Sequence, residues 1–428
     1  MLDIKFIREN PDKVREAAQS KGVEVDIDKL LALDNRRRQV IQDLEALRAE
    51  QNQKSKGKIE ESEREALKQL KEKIKDLGEQ LESIEHDYEA LMLNVPNVPT
   101  DDVPVGPDES GNQIVKTVGE LPKFDFEPKD HIELGERLDL VNTKKAGEVV
   151  GARFTYLKNE AALLQFALAQ LVFETVTNED TLKKIIKKAG LDIPATPFIP
   201  VVPPVFIRPD VYQKMARLEP IEERYYIPTD DLYLIGSAEH TMGPLHMNEM
   251  LSEEELPKRY IGYSTAFRRE AGSYGKDTQG ILRLHQFDKL EMESFTFPEM
   301  GVQEQQLFVA IQEYLLQQLE LPYQVVMICT GDMGKPDARQ VDMEVFMPGQ
   351  NKYRETHTAD YMTDYQARRL NTRVKRANGE TEMVHMNDAT AFAIGRTIIA
   401  ILENYQTKEG TVKVPKVLQK YVGLKEIK

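Results

Sequence analysis

The apolar positions of the first hundred residues recur at helical spacing. From Leu67 onward they fall at Leu67, Leu70, Ile74, Leu77, Leu81, Ile84, Tyr88 and Leu91, steps of three and four that line one seam of a helix. An earlier seam runs through Leu30, Leu33, Val40, Leu44 and Leu47, interrupted by Arg37. The polar segment NQKSKGKIEES separates the two. This pattern predicts an antiparallel helical hairpin, a coiled-coil rod about 45 Å long if each helix has roughly 30 residues. The second helix ends at NVPNVPTDDVPVGPDESG, whose prolines cannot continue it.

From about residue 116 the pattern changes. HIELGERLDLVN reads as a helix, and NEAALLQFALAQLVFETV as an apolar helix suited to packing on a sheet. The runs FIPVVPPVFI, DLYLIGS, YIGYSTAFRRE, ILRLHQFDKLEM, YQVVMICT and VDMEVFMP read as strands, and HMNDATAFAIGRTIIAILENYQ as strand, turn and helix. Consecutive strands joined by short turns favour an α+β fold, an antiparallel sheet flanked by helices, over a regular doubly wound alternation. The expected domains are 1–100 with the helical arm, a proline-rich linker at 101–115, and a mixed domain at 116–428.

Composition narrows the function. The 428 residues suffice for two or three domains, and no apolar run nears the roughly 20 residues of a membrane helix. The first residues, MLDIKFIRENPDK, lack the apolar core of a signal peptide, so a cytoplasmic protein is expected. The single cysteine, Cys329, excludes an internal disulfide and a cysteine-built metal site, and its apolar context predicts a buried strand residue. A net charge of −15 argues against coating nucleic acid by bulk electrostatics. Local cationic patches remain: Arg36, Arg37 and Arg38 on the first helix, and Arg48, Lys54, Lys56 and Lys58 toward the tip. A hairpin of this kind is commonly a dimerisation element or spacer, but a basic tip on an acidic protein also suits a polyanion.

The densest chemistry lies in FRREAGSYGKDTQGILRLHQFDKLEME, residues 267–293. Strand parity puts Arg268 with Glu270 on one face, and Arg283, His285, Phe287, Lys289 and Glu291 on one face of the next strand. The intervening loop carries Lys276. Guanidinium forks, a flat ring and carboxylates at fixed spacing are what a nucleotide requires, and equally what a solvated face with cross-strand ion pairs contains.

This stretch resembles motif 2 of the class II aminoacyl-tRNA synthetases, in the form found in seryl-tRNA synthetases: FRREAG, a GxDTxG loop, then RxHQFxKxE. RFTYLKNEAALL, SEEELPKRYIGYSTAFRREAG, LPYQVVMICTGDMG, MPGQNKYRE, TDYQARRLN and GRTIIAILENYQ resemble the same family, in order, over nearly the whole chain. The resemblance implies ATP-dependent activation of L-serine to seryl-adenylate and transfer of serine to tRNA(Ser), leaving tRNA(Sec) as a second acceptor open. It implies a class II antiparallel sheet, a homodimer with Pro203 and Pro204 in motif 1, and an N-terminal arm that reaches the long variable arm of the tRNA.

Residue by residue, the resemblance implies that Arg268 clamps the α-phosphate and the serine carboxylate, and that Glu270 receives the adenine amino group. Phe287 and Arg396 would flank adenine, with Arg396 reaching the γ-phosphate and Arg283 the outer phosphates. Glu355 would hold Mg2+ with Thr358, where relatives have serine. Arg268, Glu355 and Arg396 would thus be the catalytic residues. Ser237 (a threonine in relatives), Glu239, Arg268, Glu291, Asp388 and Thr390 would form the serine pocket, with Glu291 reading the hydroxyl. Zinc is not expected, because the zinc-dependent form needs a cysteine ligand.

The chain departs from the family at THTADYM, which brings His357, Ala359, Asp360 and Tyr361, and at Asp388, where asparagine or glycine is usual. The connection TNEDTLKKIIKKAGLDIPATPFIP is also longer than usual. His357 and Asp360 are expected to be local repacking, since two ligands are too few for a dedicated metal site. Asp388 would either balance the substrate ammonium or point away. Two further readings are an enzyme that loads an amino acid onto a carrier protein and a catalytically silent paralogue. The first is disfavoured by the intact arm, the second by Arg268, Glu270, Arg283, Glu355 and Arg396 all being present.

Overall fold

The computed structural model describes residues 1–55, 61–271 and 279–428. It divides into two compact units, Met1–Val98 and Pro99–Lys428. In the first, α1 (Ile27–Lys54) and α2 (Glu61–Asn94) form the hairpin. Asp26 caps α1 by accepting a hydrogen bond from the Lys29 amide at 2.8 Å. Leu30, Val40, Leu44, Leu67 and Leu70 are buried along the seam. Arg37, the interruption, donates through Nε to Glu85 at 3.1 Å and lies 5.3 Å from the Tyr88 ring centroid. Its aliphatic stem thus fills a seam position while its charge pairs across the helices. That an early residue of α1 meets late residues of α2 makes the pair antiparallel.

The second unit is built on an eight-stranded sheet. Its strands in chain order are β1 (Gln113–Val118), β2 (Ile199–Val201), β3 (Lys258–Phe267), β4 (Gln286–Thr296), β5 (Tyr323–Met327), β6 (Arg339–Met347), β7 (Lys352–Tyr361) and β8 (His385–Ala393). In space they run β1-β5-β6-β7-β8-β4-β3-β2, antiparallel except for the parallel pair β2 and β3. Three helices, α3 (Asn159–Val176), α4 (Gly301–Gln318) and α5 (Ile394–Asn404), cover one face. Leu164, Phe308, Ile311 and Ile398 meet Leu290, Met292 and Ala389 there in one apolar core. Alternation sends Lys289, Glu291 and Glu293 to the opposite face.

Two irregularities set the geometry of that opposite face. In β7, His357 pairs with Met343 but Glu355 with Glu344, so Thr356 is an extra residue. Glu355 and Thr358, three apart, consequently share a face with Asp342 and Glu344, where strict alternation would separate them. In β8, Thr390 pairs with Glu291 and Phe392 with Leu290, which makes Ala391 the extra residue. Gln312 of α4 spans the two strands, donating through Nε2 to the Thr358 carbonyl at 2.7 Å and the Thr390 carbonyl at 2.8 Å.

Some elements differ from the sequence reading. The strand expected from Ile281 starts only at Gln286, and Arg283 and His285 sit in irregular chain before it. HIELGERLDLVN is helical only over His131–Arg137, followed by a short strand at Val141–Asn142. Cys329 is buried but lies just beyond the end of β5. The proline-rich segment 101–115 packs within the second unit: the Thr330 amide donates to the Pro104 carbonyl at 3.0 Å and the Cys329 amide to Asn112 Oδ1 at 2.9 Å. Its last residues open β1, because backbone donors that find fixed acceptors do not remain a free tether.

Candidate active site

The stretch that carries Arg268, Glu270, Arg283 and Phe287 joins the end of β3 to the start of β4. The Arg268 amide donates to the His285 carbonyl at 3.1 Å, extending the ladder one pair past Phe267 and Gln286. Arg268 Nε donates to the Gly236 carbonyl at 3.0 Å, and its guanidinium carbon stands 5.5 Å from the Phe287 ring centroid. Glu270 lies beyond the strand with φ of +51°. Its carboxylate accepts from Arg283 at 3.2 Å, and its carbonyl accepts from Arg153 at 2.7 Å. The loop residue Lys276 lies outside the described residues.

Across the sheet, Arg396 in the first turn of α5 pairs with Glu355 at 2.9 Å and also donates to the Glu355 carbonyl at 3.0 Å. Arg283, Asp342, Glu344, Glu355 and Arg396 line one cavity of about 650 Å³. Two arginines facing carboxylates suit a polyphosphate with a divalent cation. Among the described residues no cluster of three or more His, Cys, Asp or Glu is arranged to hold a metal. Glu355, half-exposed, and Thr358 nevertheless present hard oxygen donors on the cavity side. That fits Mg2+, which binds through one or two carboxylates plus substrate phosphates and keeps several waters.

Beside this cavity lies a buried polar pocket. Lys289 Nζ donates to Ser237 Oγ at 2.9 Å and pairs with Glu291 at 2.9 Å. Thr390 Oγ1 donates to Glu291 Oε1 at 3.4 Å. Glu239 stands beside His240 at 3.3 Å, and His240 Nδ1 accepts the Gly236 amide at 3.1 Å, leaving Nε2 to face the carboxylate. Burial opposes ionisation of Glu239, but Lys289, His240 and Arg217 outweigh it and hold the carboxyl at about 2. Burial pushes Glu291 up to about 8, with Lys289 opposing and Glu239 and Asp388 reinforcing.

Two of the departures, Asp360 and Asp388, meet at one residue. Arg217 Nη2 reaches Asp337 at 3.2 Å, Asp360 at 3.1 Å and Asp388 at 3.2 Å. Asp388 therefore points toward Arg217, and its carboxyl is raised by burial to about 6. His357 shares a 2.7 Å hydrogen bond with Thr356 Oγ1 and packs on Phe392, 5.5 Å between ring centroids. Burial lowers it to about 3, so it is neutral at physiological pH. His357 and Asp360 thus face different partners.

Sequence reasoning missed Lys289 and Arg217 as site residues. Lys289 was legible, since parity already set it beside Glu291. Arg217 carries no local signal, because its partners are more than a hundred residues away in the chain. Of the cationic arm set, Arg36, Arg38 and Arg48 are exposed, whereas Arg37 is engaged across the hairpin. Lys54 pairs with Glu50 at 2.6 Å. Lys56 and Lys58 lie outside the described residues.

Comparison with known proteins agrees with this geometry. Residues 224–405 match the model of the tRNA synthetase class II core domain (G, H, P, S and T). That match and the antiparallel sheet define the class. Residues 1–99 match the Seryl-tRNA synthetase N-terminal domain, and a serine–tRNA ligase of Dictyoglomus turgidum is 39% identical over 448 residues, covering 100% of this chain and 99% of that protein. A crystal structure of seryl-tRNA synthetase from Pyrococcus horikoshii complexed with ATP aligns with a TM-score of 0.89 at 36% identity, covering 100% of this chain and 99% of that one. The cytoplasmic enzyme of Naegleria fowleri, complexed with AMP, aligns at 0.85 and 32%, again over 100% of this chain and 99% of the other. The chain belongs to the seryl-tRNA synthetase family.

Proposed function

We propose that this chain activates L-serine with ATP to seryl-adenylate and transfers the seryl group to tRNA(Ser). The observation that carries the reading is the presence, on one sheet face, of an arginine-lined cavity and a buried Ser237–Lys289–Glu291 pocket, with Arg268 bonded to the Gly236 carbonyl next to Ser237. Little acid–base chemistry is required, because the serine carboxylate is already the nucleophile; positioning and charge stabilisation do the rest. Arg268 orients the α-phosphate and the serine carboxylate and stabilises charge as the carboxylate attacks. Glu270 takes the adenine amino group and Phe287 its ring. Arg283 and Arg396 take the outer phosphates, which requires both to loosen their present pairs with Glu270 and Glu355. Glu355 and Thr358 would hold Mg2+, which neutralises charge on the leaving pyrophosphate.

In the pocket, Glu239 and Ser237 receive the ammonium group and Glu291 with Thr390 the hydroxyl. A site built to hydrogen-bond a hydroxyl rejects alanine strongly, because its buried polar groups are left unpaired. The hairpin arm binds the long variable arm of tRNA(Ser) across a homodimer in the cytoplasm. The physical logic is that serine codon sets share no common anticodon, so identity is read from RNA shape by backbone contacts.

The test is amino-acid-dependent ATP/pyrophosphate exchange with serine, threonine, alanine and glycine, in magnesium buffer without tRNA. Serine is expected to exceed alanine by on the order of a thousandfold in kcat/KM; preference for alanine or glycine would overturn the reading. Deleting residues 36–86 is expected to abolish tRNA charging and spare exchange, and loss of both would remove the arm's assignment.

A further inference from the structure

We propose that Glu293 forms a second side-chain reader at the floor of the amino-acid pocket, and that the enzyme activates, beside serine, a small L-amino acid carrying a second amine on its β or γ carbon. The proposal rests on the assignment of this pocket to the amino acid. Glu293 lies two residues beyond Glu291 on the same strand and face, about 6.6 Å along β4. It is fully buried, and among the described residues neither carboxylate oxygen has a hydrogen-bond partner. Glu239 Oε2 beside it is likewise unpartnered.

The nearby cations pair with other groups, although Arg217 Nε is without a partner among the described residues. Lys289 serves Ser237 and Glu291. Arg217 serves Asp337, Asp360 and Asp388, and Asp388, directly opposite Glu293 in the ladder, adds negative charge without offering a donor. A carboxylate kept only to fill space is costly, since an apolar residue of similar volume would serve at least as well. Serine supplies an ammonium and one hydroxyl, which Glu239 and Glu291 already receive. What Glu293 lacks among the described residues is a hydrogen-bond partner, which a charged donor on the substrate would supply. An amine on the β carbon stands where the serine hydroxyl would, and one on the γ carbon reaches a bond deeper, toward Glu293. Burial and the neighbouring Asp388, Glu239 and Glu291, with Arg217 opposing, raise the Glu293 carboxyl well above its ordinary range, so the pocket holds it protonated and an arriving ammonium group would displace that proton.

The experiment is ATP/pyrophosphate exchange by the full-length enzyme with L-serine, L-2,3-diaminopropionate, L-2,4-diaminobutyrate, and the uncharged controls alanine and L-2-aminobutyrate. At least one diamino acid is expected to exceed its uncharged control by tenfold or more in kcat/KM. Glu293→Gln is expected to lower the ratio of diamino acid to serine at least tenfold, chiefly through KM. Diamino acids no better than their controls would overturn the proposal, as would a Glu293→Gln enzyme in which both substrates decline equally. Serine exchange in the same assay reports separately on the assignment it rests on: diamino exchange without serine exchange would uphold the second reader and overturn serine activation, and absence of both would overturn both.

Discussion

At the scale of single residues, the pocket stores protons. Glu291 is held at about 8, far above an ordinary carboxyl, chiefly by burial, and Glu293 and Asp360 are raised for the same reason. A carboxyl raised on folding stabilises the native state fully below its unfolded pKa of about 4.3 and loses that contribution as pH rises through the folded value. The buried His357 and the partly buried His385, depressed to about 3 and about 4, have the opposite sign and lose stability only as pH falls below the ordinary histidine range. Between pH 7 and 9 the carboxyls therefore dominate. The melting temperature of the unliganded enzyme is expected to fall across this window, and Glu291→Gln to flatten part of the slope; an unchanged slope in calorimetry would contradict the assignment.

At the scale of elements, the two bulges are what align the site. Thr356 returns Glu355 and Thr358 to one face, and Ala391 offsets β8 against β4. Bulges leave ladder carbonyls without their regular donors, and the buried Gln312 side chain supplies donors to the carbonyls of Thr358 and Thr390. Gln312→Leu would leave both buried and unsatisfied. A loss of about 2 kcal/mol is expected in urea unfolding, together with a several-fold rise in the KM for serine, because Thr390 rides on the same strand. A stability loss with no change in KM would make Gln312 a structural residue only.

For the whole molecule, the question is how a chain of net charge −15 approaches a polyanion. Net charge offers no overall attraction, so the proposed arm contact rests on exposed local cations such as Arg36, Arg38 and Arg48. Replacing all three with alanine is expected to raise the KM for tRNA about tenfold and to flatten its dependence on salt, leaving serine exchange as it was. Equal salt dependence in wild type and variant would place RNA contact elsewhere. Among the described residues no helix is long and apolar enough to cross a membrane.

Periodicity determined the elements that depend on burial of a single face. The seams of α1 and α2, the apolar α3, and the strand from Gln286 onward were legible because each alternates over many residues and the physics of side-chain direction is local. Parity likewise set Lys289 beside Glu291 without knowledge of the fold. Where local pattern competes with pairing at a distance, tertiary structure decided. Parity would have put Glu355 and Thr358 on opposite faces; only the pairing of β7 with β6 reveals the extra residue between them. Asp388 could have balanced a substrate ammonium or turned away, and its direction depends on Arg217, a residue remote in sequence that also gathers Asp337 and Asp360. Buried charges choose partners by proximity in three dimensions, and that proximity is absent from any short stretch of chain.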